Sequence, residues 1–312
     1  MDDSIEQAIE HFEKAYAYKA NNEIENALYE CERAAQLAPH WPDPPYVRAH
    51  LLELLGRNQE AQAALKHADS LASSNQRNGR HGANAANVAS APRVPWTSRD
   101  VWLGFALFIG SVIAFVVVYG ALYALSIEIN LDLLIVINEV LFLVPIWWFV
   151  WRKYGSDWKT LGFRGFSWSA LGIGVALLFG AYILMGIYGT IVTELFDSEM
   201  QPDLAPIADE MSFPWLLIIT TVVVAPLVEE MFFRGFIFAG FWQRYGWQKA
   251  ALISSALFAL VHLQPLAFIP IFILGYVFAY IYYRSKSIWP GILMHFTVNL
   301  LAVVVEFAIE SD

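Results

Sequence analysis

The sequence predicts an all-α protein: a polytopic transmembrane helix bundle of about seven spans, preceded by a small soluble helical-repeat domain. Three observations predict it. The chain is 57% hydrophobic and only 15% charged, whereas a soluble protein is nearer ~45–50% apolar and ~25% charged. The excess falls almost wholly after Trp96, in apolar runs long enough to cross a bilayer. The first quarter is polar and repeats itself at an offset of 34 residues.

The repeat occupies residues 1–71. Ala15 matches Ala49, Ala27 matches Ala61, Ala34 matches Ala68 and Leu37 matches Leu71, while Pro39 ends the first unit. Small residues at these positions let paired helices approach closely, and a period of 34 is that of the tetratricopeptide repeat. The region resembles two such repeats, with helices near 4–19, 23–38, 44–55 and 58–71. The aromatic of the repeat pattern is missing early in each first helix, where His11 and Pro45 stand. A spacer or a docking site for a protein partner is the expected use of residues 1–71. Cys31 is expected as a small core residue, and as the single cysteine it excludes an internal disulfide and a cysteine-based zinc site. Residues 72–97, rich in Ser, Asn, Gly and Ala, read as a flexible linker. Residues 98–312 form the transmembrane domain.

A spanning helix needs ~20 mostly apolar residues. The expected spans are about 101–125, 133–151, 168–193, 213–239, 248–264, 266–283 and 288–308, the fifth and sixth being short and divided only by Gln264-Pro265. Basic residues occupy alternate loops: Arg152, Lys153, Lys159 and Arg164, then Arg244 and Lys249, then Arg284 and Lys286. Acids alone hold the others, among them Glu128, Asp132, Glu194, Asp197, Glu199, Asp203, Asp209 and Glu210. The positive-inside rule puts the basic loops in the cytoplasm. The N-terminus is therefore expected inside and the C-terminus outside, in the plasma or inner membrane if the cell is bacterial. Residues 1–25 are acidic and amphipathic and do not read as a signal peptide. The net charge of −10 and the lack of a basic stripe argue against nucleic acid. The tryptophans read as interfacial anchors, and Gly172, Gly174, Gly180, Gly186 and Gly189 as close-packing positions of the third span.

Five of the seven histidines lie in the polar quarter. The other two, His262 and His295, sit inside apolar runs, as do Glu229 and Glu230. Ionisable groups inside a membrane cost several kcal/mol each and point to function. In VVVAPLVEEMFFRGF, Glu230 and Arg234 are four apart on one helix face and suited to an ion pair, leaving Glu229 turned elsewhere. SALFALVHLQP places Phe258 and His262 on one face, and GILMHFTVN does the same for His295 and Asn299. A carboxylate beside a histidine can deprotonate water, and a histidine with an asparagine carboxamide can donate to an oxyanion. Two histidines and a glutamate can equally hold zinc with one open position. Either way the natural chemistry is hydrolysis of an acyl bond. Glu139, beside Asn138 in the second span, reads as a local hydrogen-bonding or water-facing group. Counted at ~1.5 Å per residue from the cytoplasmic ends, His295 lies ~10 Å and His262 ~20 Å deep.

EExxxR at Glu229, Glu230 and Arg234, FxxxH at Phe258 and His262, and HxxxN at His295 and Asn299 together resemble the CPBP family. That family groups type II CAAX prenyl endopeptidases with bacteriocin-processing and bacteriocin-immunity (Abi) proteins. The resemblance covers roughly 100–310 and implies an intramembrane metalloendopeptidase acting on a peptide or membrane-protein substrate. In it Glu229 would activate water with His262, His295 and Asn299 would bind the oxyanion or complete a metal site, and Glu230 and Arg234 would hold the site together. Zinc on Glu229, His262 and His295 is the implied cofactor, although a metal-free glutamate mechanism fits the same residues. The competing reading is a non-catalytic scaffold or self-immunity protein with a partner-binding repeat domain. A proton-relay transporter is disfavoured by the lack of an inverted repeat.

Overall fold

The computed structural model describes residues 3–78, 92, 94–127, 129–196 and 205–309, and every regular element among them is helical. Four helices, α1 (Asp3–Ala20), α2 (Ile24–Leu37), α3 (Asp43–Leu54) and α4 (Asn58–Asn78), form the soluble part. Each packs on the next. The contact faces are small: Ala8 and Ala15, Ala27, Cys31 and Ala34, then Ala49, Ala61, Ala64 and Ala68 are all buried. The four helices thus pack in sequence through small residues. Burial pushes the Cys31 thiol up to about 12, so it behaves as a small apolar core residue.

Helix α4 runs on to Asn78, so the linker expected from residue 72 starts later; most of it, 79–91 and 93, lies outside the described residues. Its last residues are anchored rather than free. Val94 and Trp96 are buried, Trp96 Nε1 donates to the Phe236 carbonyl at 3.0 Å, and Gln243 Nε2 donates to the Val94 carbonyl at 3.1 Å. Trp96 and Trp242 are therefore core residues and not the interfacial anchors expected, while Trp147, Trp148, Trp158, Trp168, Trp215 and Trp289 are exposed.

The rest of the chain forms α5 (Ser98–Ala124), α6 (Leu131–Lys153), α7 (Trp168–Phe196), the short α8 (Ala205–Glu210), α9 (Pro214–Tyr245), α10 (Trp247–Val261), α11 (Phe268–Ser285) and α12 (Trp289–Ile309). Six of these, α5, α6, α7, α9, α11 and α12, are long and apolar enough to cross a membrane. The fifth expected span, α10, has 15 residues. That is ~22 Å of helix, short of the ~30 Å hydrocarbon core. Leu263, with φ +54°, and Gln264-Pro265 end α10 and turn the chain back along it into α11, so that the pair starts and finishes at one end, where Trp247 stacks on Tyr283. The chain is an integral multi-pass membrane protein.

Helix α9 is the centre of the bundle. Apart from Glu229, Glu230 and Arg234 its middle is apolar on every face, and every residue from Glu230 to Trp242 is buried, the expected place for such a helix. Phe232, Phe233 and Phe236 pack with Phe108, Phe142 and Phe149 from α5 and α6. By contrast, α5 and α7 expose broad apolar faces of the kind lipid covers. Among the α7 glycines, Gly174 lies against Met294 and Ile281, whereas Gly172, Gly180 and Gly186 face open space, so close packing within the chain does not explain those three.

The three basic loops gather at one end. Asp100, in a capping box with Thr97, accepts from Lys153 Nζ and Tyr154 Oη, each at 2.6 Å. Ser287 Oγ donates to the Arg164 carbonyl at 2.6 Å, and Ile288 N donates to the Gly162 carbonyl at 3.0 Å. The soluble helices dock at the same end, where Glu13 pairs with Arg244 at 3.1 Å and accepts from Ser98 Oγ at 3.1 Å. The basic loops and the N-terminal helices thus lie together at one end of the bundle.

Candidate active site

Helix α9 supplies the acids through an irregular backbone. Two π-helical runs, Thr220–Val224 and Met231–Phe238, flank the α-helical Ala225–Glu230. Such turns add a residue per turn and recur at functional sites. They free carbonyls for neighbouring helices. The Phe233 carbonyl accepts from Ser254 Oγ at 2.9 Å, and the Thr221 carbonyl accepts from Asn299 Nδ2 at 2.8 Å.

Glu230 and Arg234 form the ion pair expected of their spacing, Oε1 to Nη1 at 2.7 Å, and both are fully buried. Arg234 has further partners. Its Nη2 donates to the Gly275 carbonyl at 3.1 Å, and its guanidinium lies 4.5 Å from the Phe258 ring centre and 5.2 Å from that of Phe278. A charge so far from water persists only with such partners.

His295 joins the two acids. Its Nδ1 is 3.5 Å from Glu230 Oε1 and its Nε2 is 3.8 Å from Glu229 Oε2. The ring stacks on Phe278, with centroids 5.1 Å apart and planes at 29°. Counting residues had set His295 and His262 at different depths. In the fold His295 is level with the acids of α9, and the Phe258 ring touches both histidines, at 4.7 Å from His262 and 5.9 Å from His295. Glu229 Oε2 is buried and makes no hydrogen bond within the protein. Groups of this kind, rare in folded proteins, mark places for water or substrate.

His262 caps the end of α10, half-buried, and its Nδ1 lies 2.7 Å from the Phe258 carbonyl. A carbonyl only accepts, so Nδ1 carries a proton, and in the neutral ring Nε2 is the nitrogen left as acceptor. His262 makes no ion-pair contact with Glu229; the histidine beside Glu229 is His295. Among the described residues no three His, Cys, Asp or Glu side chains converge as a metal-binding group. Glu229, His262 and His295 are thus not drawn together as a group of three, while the Nδ1 bond of His262 to a carbonyl is the kind a metal-ligating histidine makes as it turns Nε2 outward.

Three participants were not foreseen as such. Gly291, one turn before His295, leaves room for Glu230: a Cβ there would lie 2.6 Å from Glu230 Oε2. Its signal was the HxxxN segment read backwards by four residues. Phe278 of α11 carries no motif. Glu139 of α6 is buried, accepts from Asn138 at 3.4 Å through one oxygen, leaves the other without a hydrogen bond, and is near enough to Glu229 to feel its charge.

Residues 211–301, which hold all of these groups except Glu139, match the family described as type II CAAX prenyl endopeptidase Rce1-like. A Bacillus subtilis (strain 168) protein named "Putative membrane peptidase YdiL" is 31% identical over 133 residues, which is 42% of this chain and 54% of that protein. A Lactococcus lactis protein named "UPF0177 protein YxdF" is 34% identical over 79 residues, 25% of this chain and 43% of the relative. The chain thus spans about half the length of these curated relatives. No solved structure matches it.

Proposed function

We propose that the chain is an intramembrane endopeptidase that hydrolyses peptide bonds of a membrane-associated protein or peptide. The observation that carries this reading is Glu229 Oε2, a buried carboxylate oxygen without a hydrogen bond, 3.8 Å from His295 Nε2, beside a buried Glu230–Arg234 pair. The matching Rce1-like segment supports it. Glu229 takes a proton from water as the water oxygen attacks the substrate carbonyl carbon, with the His262 Nε2 lone pair orienting the water. His295 donates to the oxygen that becomes negative. When the C–N bond breaks, Glu229 returns its proton to the departing amine, so the acid ends as it began. Glu230 and Arg234 hold His295 and α9 in place, and Asn299 ties α12 to α9. No step is routed through zinc.

The test is to express wild type and Glu229→Gln in the native host at matched membrane levels and compare new protein termini by mass spectrometry. Termini that vanish only in the variant are the expected result. Identical termini would remove the protease reading and leave the scaffold or immunity reading.

The soluble helices support an accompanying role in partner binding. A cavity of about 490 Å³ lies between Tyr16, Lys19 and His50 of α1 and α3 and the stretch Lys153–Thr160. We place this end, and with it the N-terminus, in the cytoplasm and the C-terminus outside, on the clustering of basic loops. Labelling of single added cysteines by a membrane-impermeant reagent in intact cells checks it: one beyond residue 309 should react and one in the 154–160 turn should not.

A further inference from the structure

Three cation-bearing regions lie at the basic end outside the site just described. Lys153 is paired with Asp100 and Arg244 with Glu13. Arg164 and Lys286 have no carboxylate partner among the described residues, yet the fold holds them together. The Ser287–Arg164 and Ile288–Gly162 hydrogen bonds fasten the loop before α7 to the turn between α11 and α12. Lys286 occupies that turn in the left-handed region, φ +57°, which fixes its side chain over the Trp242 ring at 3.6 Å and beside Tyr283 at 4.8 Å. Arg164 is exposed and anchored by its own hydrogen bond to the Lys159 carbonyl at 2.5 Å. Burial, and then the charge of Arg164, push the Lys286 amine down to about 7. The two cations stand on loops that the fold fastens together, near enough for Arg164 to act on Lys286, and an anion at this seam would offset their repulsion. A third positive element points the same way: the 21-residue α12 begins at Trp289, and the positive end of its dipole lies at this turn.

We propose that Arg164, Lys286 and the first turn of α12 form a binding site for a phosphate group, supplied by the headgroup of an anionic membrane lipid. The chemistry is that of any phosphate: a planar guanidinium and an ammonium converging on shared oxygens. The bilayer is the source the surroundings favour. Trp289, Trp158 and Trp168 are exposed around the turn, where tryptophans mark the headgroup level, and basic pockets at the cytoplasmic ends of spans take acidic headgroups. The site also touches the helices of the proposed active site, because Trp242 lies in the last turn of α9 and the turn leads directly into the helix that carries His295.

The experiment uses the full-length chain with Arg164→Ala, Lys286→Ala, both together, and Lys286→Arg. Each protein is reconstituted into phosphatidylcholine vesicles with and without phosphatidylglycerol, extracted in a mild zwitterionic detergent, and assayed by mass spectrometry for lipid retained. Wild type should retain phosphatidylglycerol over phosphatidylcholine, each alanine should weaken retention about fivefold, and the double variant should lose the preference. Lys286→Arg should keep it, which separates lost charge from lost fold. Inorganic phosphate should displace the lipid from wild type. If phosphate raises the melting temperature of wild type but not of the double variant, and no lipid is retained, the phosphate site stands with a soluble source. Equal retention by wild type and double variant, with no response of either to phosphate, overturns the proposal.

Discussion

Gly291 and Glu230 are in contact such that a single added methyl group would sit 2.6 Å from the Glu230 carboxylate. The carboxylate cannot swing aside, because Arg234 pins its other oxygen at 2.7 Å. Gly291→Ala should therefore push Glu230 away from Arg234 and His295. Overpacking of this kind costs about 1–3 kcal/mol. A lowered melting temperature together with loss of cleavage is expected; a variant as stable and active as wild type would show that the contact relaxes freely.

Arg234→Lys keeps the charge but not the geometry. An ammonium lacks the planar fork that serves Glu230 and the Gly275 carbonyl at once while lying between two rings. Glu230→Gln goes further and leaves Arg234 uncompensated, for which breaking a buried pair costs about 3–5 kcal/mol. Thermal unfolding in detergent should rank wild type above Arg234→Lys, and Arg234→Lys above Glu230→Gln. Restoring the order by any condition other than a new partner for Arg234 would count against the ion pair as the cause.

Asn299 separates two roles the motif leaves open. Its amide is spent on the Thr221 carbonyl at 2.8 Å, so Asn299→Ala should act on stability, by about 1–3 kcal/mol for the stranded acceptor. Removing a donor to a developing oxyanion instead costs about 10²–10³-fold in turnover. With the protein held well below its melting temperature, turnover should fall by less than that range. A larger fall at unchanged stability would make Asn299 the oxyanion donor.

Lys286 gives the stability a pH dependence of known sign. Its amine is held near 7 by burial, against an ordinary value of 10.5. Between those values the unfolded chain binds a proton that the native state does not, so protons favour unfolding. In zwitterionic detergent free of anionic lipid, the melting temperature should fall as pH drops from about 10 to about 7 and level off below. Lys286→Met should remove that slope, and a slope that persists in the variant would assign it to another group.

Much of the site was legible because its groups are expensive where they stand. Glu230 and Arg234 read as a pair from spacing alone, and His295 declared itself as a charge-bearing residue in an apolar run. The partnership of Glu229 with His295 rather than His262 was hidden, since it depends on how α12 lies against α9 and not on either helix by itself. The π-helical turns of α9 left no mark in composition, and they set which carbonyls reach Asn299 and Ser254. The spans were read to within a few residues because hydropathy records the solvent directly. The burial of Trp96 and Trp242 was misread because a tryptophan at a helix end looks the same whether lipid or protein covers it.

The short α10 has one more consequence. A helix that stops before the far boundary of the hydrocarbon leaves its last backbone carbonyls without intrahelical donors, and lipid can supply none. His262 answers one of them by turning its own Nδ1 onto the Phe258 carbonyl. Leu263 N answers the Leu260 carbonyl at 3.2 Å; a carbonyl left over needs water, as does any hydrolysis carried out at that depth. On the proposed reading, the end of the truncated helix is therefore also where water, the second reactant, would be drawn in, so that a structural deficit in the backbone and the supply of that reactant become one and the same requirement.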